Sequence, residues 1–273
     1  MNCTRAATLA EAAVAVLAAA EPDAKVALSR EAAEAWRKRG LALGKAEPPP
    51  RPARPPRPPL LPARRMPKRR NFGSPAGRIA LLHALAHIEL NAIDLAWDLV
   101  ARFGETGLPR TFFDDWVTVA AEEAEHFSLL SARLAGLGLV YGDLPAHDGL
   151  WEAAAATAHD VLARLAVVPL VLEARGLDVT PEMIARLDRA GDDKSAAVLD
   201  RIYRDEIGHV AAGRRWFEWF CARQEREPLA TFQALVRRHF SGALKPPFNR
   251  RAREEAGFAA AYYENLTCTG ARC

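Results

Sequence analysis

Two Glu-x-x-His pairs stand in this chain, Glu123 with His126 and Glu206 with His209. Residues three apart on an α-helix share a face, so each carboxylate and its imidazole can grip one metal ion. Two further glutamates, Glu89 and Glu173, each lie within an apolar stretch of their own. The order is therefore Glu, Glu-x-x-His, Glu, Glu-x-x-His. The Glu89-to-Glu123 interval is 34 residues and the Glu173-to-Glu206 interval is 33, which reads as two equivalent helix pairs. With 20 glutamates and 7 histidines in 273 residues, about 0.5 such pairs would arise by chance. The pairs alone are thus a weak signal; their order carries the reading.

Helical periodicity places Glu89 with Leu82, Leu85, Ile93 and Val100, and Glu123 with Trp116, Val119, Phe127 and Leu130. Glu173 follows Leu162, Ala166 and Leu170, and Glu206 shares its stripe with Leu199, Ile202, Val210 and Phe217. All four carboxylates then point into an oily interior, where uncompensated charge is prohibitive. Two divalent cations would balance them. Carboxylates with one imidazole per metal and no thiolate suit iron first, or manganese. The expected metal ligands are Glu89, Glu123, His126, Glu173, Glu206 and His209, holding two Fe ions with positions left open for dioxygen, peroxide or water. A buried glutamate can instead pair with arginine, and Arg133, Arg164, Arg201 and Arg204 are available.

Other residues rank lower. His87 precedes Glu89 by two and faces elsewhere, as a structural or ligand-supporting group. His83 and His159 read as satisfied histidines. Asp94 and Asp205 could orient ligand imidazoles, or be solvated helix charges. Tyr203 reads as a core aromatic. Pro169, four before Glu173, should kink its helix and free the Leu165 carbonyl.

The elements that must position these residues are four long helices. Ser74-Pro75 opens the first, which runs to about Phe103 before Gly104. The second covers about 111–134, the third about 150–175 to Gly176, and the fourth about 193–222. About a dozen residues, 137–149, join the second and third and could span one helix length, roughly 40 Å. Residues 181–190 read as a short extra helix and 229–240 as an amphipathic one. The fold expected is all-α: a ferritin-like four-helix bundle with one long crossover.

Around it, residues 1–46 read as a helical hairpin turning at Glu21-Pro22-Asp23, in preference to a cleaved leader. Residues 47–73 form a linker, 74–222 the bundle, and 223–273 a helical extension. Residues 48–67 hold ten of the nineteen prolines, and 51–70 carry eight basic side chains, with no acid between Glu47 and Glu89. That stretch reads as an extended strap on an otherwise acidic body. It either lies along that body, the preferred reading, or meets nucleic-acid phosphate. No apolar run approaches the roughly 20 residues of a membrane span, so no membrane partner is expected. Cys3, Cys221, Cys268 and Cys273 show no framework spacing, which fits a reducing, cytoplasmic setting.

The stretches His87-Ile-Glu-Leu-Asn-Ala-Ile-Asp94, Leu172-Glu-Ala-Arg-Gly-Leu-Asp178 and Tyr203-Arg-Asp-Glu-Ile-Gly-His-Val210 resemble a bacterial family of unknown function regarded as ferritin-like. So do the N-terminal Glu-Pro-Asp-Ala-Lys-Val-Ala-Leu-Ser and C-terminal Leu-Lys-Pro-Pro-Phe-Asn-Arg stretches, so the likeness spans nearly the whole chain. The resemblance implies a ferritin-like fold and a metal site, without a substrate. The ligand order is also distantly similar to that of the di-iron hydroxylase that modifies isopentenyladenosine in tRNA. Rubrerythrins share the order but carry cysteine pairs absent here.

These readings converge on a di-iron oxidoreductase acting on an unidentified small-molecule or RNA-borne substrate, with electrons from a separate reductase. The alternatives are an iron-sequestering protein, a tRNA-modifying hydroxylase using the strap, and a scaffold stabilised by its metals. A homo-oligomer is compatible with any of them.

Overall fold

The computed structural model describes residues 6–66, 74–104 and 107–267. Among the described residues the chain is helical without strands, save three isolated β-bridges. The strap's end from Pro67 to Arg70, and Cys3, Cys268 and Cys273, lie outside the described residues. The chain divides into two units, Met1–Trp151 and Glu152–Cys273.

In the first unit, α1 (Leu9–Ala18) opens with a capping box: Thr8 Oγ1 accepts from Glu11 N, while the Glu11 carboxylate accepts from Thr8 N. A short turn leads to α2 (Pro22–Arg37), so Pro22 and Asp23 begin a helix where the sequence suggested a turn. Proline is at home there because the first helical N–H has no intrahelical partner. The hairpin rests on the two long helices, α1 on α3 (Pro75–Phe103) and α2 on α4 (Arg110–Ala135). Ser74 caps α3, its Oγ accepting from Gly77 N at 3.1 Å.

By length and composition α3 could span a membrane, which corrects the expectation that no stretch qualifies. Yet 72% of its most apolar window is buried inside the protein, so that surface is spent on the core.

The strap is tied along this unit. Ala53 N donates to Leu17 O at 2.8 Å, Leu61 N to Ala146 O at 2.7 Å, and Ala146 N to Pro59 O at 3.1 Å. Arg51 pairs with Asp148, and Arg102 Nη2 donates to Pro49 O at 3.1 Å.

Helix α5 (Gly149–Ala156) spans the boundary between units. The second unit continues with α6 (Val161–Val167), a π-helical turn (Val168–Glu173), α7 (Ala174–Arg189) and α8 (Asp193–Arg223). Then come α9 (Pro228–His239), α10 (Arg250–Glu255) and α11 (Ala260–Tyr263). The expected third helix is thus broken twice. Asp160 starts α6 afresh, its Oδ1 accepting from Leu162 N at 2.8 Å. Buried Arg164 secures the break by donating to Thr157 Oγ1 and Ala154 O at 3.1 and 2.6 Å.

Further on, Pro169 falls in the π turn, whose extra residue widens the helix and accommodates the ring and its missing N–H. The helix then continues through Gly176 and Pro181 as α7, so residues 181–190 are its second half and not a separate helix. α8 packs against the π turn. A Cβ on Gly213 would lie 2.5 Å from Pro169 Cβ, so only glycine permits this approach.

Candidate metal centre

Each ligand candidate of the first unit comes from a long helix whose apolar stripe carries it inward. Glu89 in α3 and Glu123 and His126 in α4 are all buried. His126 Nδ1 lies 3.3 Å from Glu89 Oε2 and 3.4 Å from Glu123 Oε2. Each of the three offers a ligand atom, and these atoms lie within 4.8 Å of one another. Two carboxylates and one imidazole in a dry interior have the donor set and spacing to hold a metal ion.

The electrostatics agree. Burial, then the neighbouring Glu123 carboxylate, push the Glu89 carboxyl well above its usual range, against the opposing pull of His126. Burial lowers the affinity of His126 for a proton, but Glu123 and Glu89 outweigh it and carry the imidazole up to about 11. A proton is therefore the cation this cluster holds when nothing stronger is offered.

In the second unit, Glu173 ends the π turn, partly buried, and α8 carries Glu206 and buried His209. His209 Nδ1 stands 3.7 Å from Glu206 Oε2, the same Glu-x-x-His relation as in α4. Among the described residues, the buried Glu206 Oε2 atom accepts no hydrogen bond. That is an acceptor suited to a cation.

Three arginines considered as partners for these glutamates have other engagements. Arg164 binds Thr157 and Ala154, Arg201 pairs with Asp205 at 2.7 Å, and Arg204 pairs with Asp200. Asp205, expected to orient an imidazole or to be solvated, is thus held by Arg201. Tyr203 accepts from Asn249 Nδ2 through its hydroxyl at 2.8 Å.

The opposite face of α3 holds polar residues that sequence reasoning largely missed. Asp94 is neither an imidazole-orienting group nor solvated. It is fully buried, taking Lys25 Nζ at 2.6 Å on one oxygen and Arg54 on the other. Lys25 also donates to Val16 O at 2.9 Å. Asn91 accepts from Arg54 at 2.5 Å and donates to His87 O at 2.7 Å. His87 bonds the Tyr141 hydroxyl at 2.8 Å and His147 O at 3.2 Å, and burial leads a set of causes that bring its pKa down to about 4. His83 Nε2 accepts from Gly142 N at 3.0 Å, a satisfied histidine as read. Nearby, Trp97 Nε1 donates to Ser29 Oγ at 2.8 Å, which donates to Ala120 O at 3.1 Å. The one available signal was spacing: His87, Asn91, Asp94 and Asp98 recur at three and four residues on one helix face.

Residues 18–264 match the model of a family described as "Protein of unknown function (DUF455)". An uncharacterized protein of Haemophilus influenzae is 44% identical over 195 residues, which cover 70% of this chain and 68% of that protein. No solved structure matches the chain.

Proposed function

The chain belongs to the DUF455 family, and we propose that it is a ferritin-like protein with a dinuclear carboxylate centre, preferring iron, that acts as a dioxygen- or peroxide-activating oxidoreductase. The observation that carries this reading is the convergence of Glu89, Glu123 and His126 in a buried cluster, with His126 Nδ1 within 3.4 Å of both carboxylates. Glu173, Glu206 and His209 of the second unit repeat the same composition, two carboxylates and one imidazole, at nearly the same sequence interval. In the proposed centre the two sets complete one another, and two divalent cations neutralise four carboxylates.

The residues present fit such a centre. Among the described residues Glu206 Oε2 is a buried acceptor without a hydrogen bond, and Glu89, Glu123 and His126 gather two carboxylates and one imidazole in a buried cluster. A metal pair held this way would supply activation of dioxygen or peroxide for oxidation of an organic substrate. The chain's own part is to hold six ligands, keep bulk water out with the apolar stripes of α3 and α4, and take the His126 proton out of competition when metal enters. Arg51, Arg54 and Arg102 bind the strap to the first unit, which supports reading it as part of the scaffold.

The test is metal analysis of the full-length protein together with oxygen uptake in the presence of a reductant. About two iron or manganese ions per chain and reductant-dependent uptake are expected. Absence of both metals and of uptake would refute the reading, and many irons per chain would replace it with iron storage.

A further inference from the structure

Two aspartates stand in the same register to two of the proposed ligands. Asp94 follows Glu89 by five residues on α3, and Asp178 follows Glu173 by five, on α7. Five residues turn a helix through roughly 140° beyond a full revolution, so each aspartate looks away from the face that carries its glutamate. Both aspartates are buried, and each receives an arginine from a segment remote in sequence.

In the first unit that segment is the proline-rich strap. Arg54 donates one nitrogen to Asp94 Oδ2 and another to Asn91 Oδ1, while Lys25 occupies Asp94 Oδ1. In the second unit it is the C-terminal extension. Arg253 in α10 sends Nε and Nη2 to the two oxygens of Asp178 at 2.8 and 2.7 Å, and Nη2 also reaches Ala174 O at 3.2 Å. Asn249 adds its N–H to Asp178 Oδ1 at 2.9 Å and joins Leu177 O to the Tyr203 hydroxyl. The contacts therefore land on the residue after Glu173 and on the residue three before Glu206. Phe248, Phe258 and Tyr263 surround the Arg253 guanidinium with ring centroids at 5.1, 5.6 and 4.3 Å.

Buried ion pairs contribute little net stability over apolar packing, so stability alone is a poor reason for two of them. A planar guanidinium, however, fits only a narrow range of acceptor positions, whether its two nitrogens bridge Asp94 and Asn91, as in Arg54, or meet both oxygens of one carboxylate, as in Arg253. It resists rotation of the helix about its own axis, and that rotation sets where the glutamate on the other side points. We infer that Arg54–Asp94 and Arg253–Asp178 are a matched pair of positioning clamps that aim Glu89 and Glu173, an inference that rests on the proposed metal centre. None of the four residues is a ligand. The strap, through Arg54, and the C-terminal extension, through Arg253 and Asn249, thereby gain a role that the metal ligands alone leave unexplained.

The test is titration of the full-length protein and its Arg54→Lys and Arg253→Lys variants with Co(II). Lysine keeps the charge and loses the fork. Each variant is expected to keep the wild-type circular dichroism, bind Co(II) roughly 10–100-fold more weakly, and show altered visible Co(II) bands. Wild-type affinity and bands in either variant would overturn the clamps while leaving the metal centre standing. Loss of helical signal would overturn them too, by assigning the arginine to folding. Failure of the wild-type protein itself to bind Co(II) would instead sink the metal reading on which they rest.

Discussion

His126 Nδ1 stands 3.3 Å from Glu89 Oε2 and so joins an imidazole of α4 to a carboxylate of α3 in a dry interior. With Glu123 Oε2 at 3.4 Å from the same nitrogen, one atom sits between two acids carried by different helices. Their mutual stabilisation depends on a positive charge at or near that nitrogen.

Metal entry should therefore release protons. His126 is held up to about 11, so at neutral pH the metal-free imidazole is charged and must lose its proton to become a ligand. Glu89, its affinity for a proton also raised, adds to the release. Because protons and metal compete, affinity should climb with pH between 6 and 8, by about tenfold per unit for each proton displaced. Calorimetry in buffers of different ionisation enthalpy measures the release directly. No proton release and a flat affinity would contradict this account of the cluster.

Removing a first-unit ligand should abolish tight binding without unfolding the chain. Glu123→Gln keeps the shape of the side chain while deleting a charge, and His126→Ala deletes a donor. Both should weaken metal affinity more than 10–100-fold, the range typical of a group one step removed from the metal. Equilibrium dialysis beside circular dichroism separates ligand loss from misfolding.

The Lys25–Asp94 pair makes a separate demand on stability. Both side chains are fully buried, and Arg54 contacts the second Asp94 oxygen. Lys25→Met leaves Asp94 with Arg54 and should cost roughly 3 kcal/mol, the lower end for breaking a buried pair. Asp94→Asn strands two cations against one another and should cost more. Urea midpoints for the two variants give the order, and the reverse ranking would be inconsistent with it.

Two glycines should respond oppositely to alanine. A Cβ at Gly213 would press into the Pro169 ring, a rigid neighbour, so Gly213→Ala should destabilise by about 1–3 kcal/mol. Gly176 in α7 has no described residue within 4 Å of the same position, so Gly176→Ala should stabilise by roughly 0.5–1 kcal/mol. Thermal or urea unfolding of the pair checks the close approach of α8 to the π turn.

Much of this was legible in local sequence signals. Ser74-Pro75 and Gly104 bracket α3, and Asp193 opens α8, because caps and breakers act within a turn or two. The burial of Glu89 and Glu123 followed from apolar periodicity on either side of them. The third helix was misread because Asp160 resembles any helix charge until its carboxylate is seen capping α6. Pro181 likewise looked like a start, although α7 carries it in mid-course. Asp94 was misjudged for a deeper reason. Its partners Lys25 and Arg54 come from the hairpin and the strap, and pairing across such distances leaves no periodic trace in the chain.

The most direct trial of the central claim is anomalous scattering at the iron edge from crystals of iron-loaded protein. Two peaks bounded by Glu89, Glu123, His126, Glu173, Glu206 and His209 are predicted. No peak among these six side chains in fully loaded crystals, or iron bound only elsewhere, would contradict it.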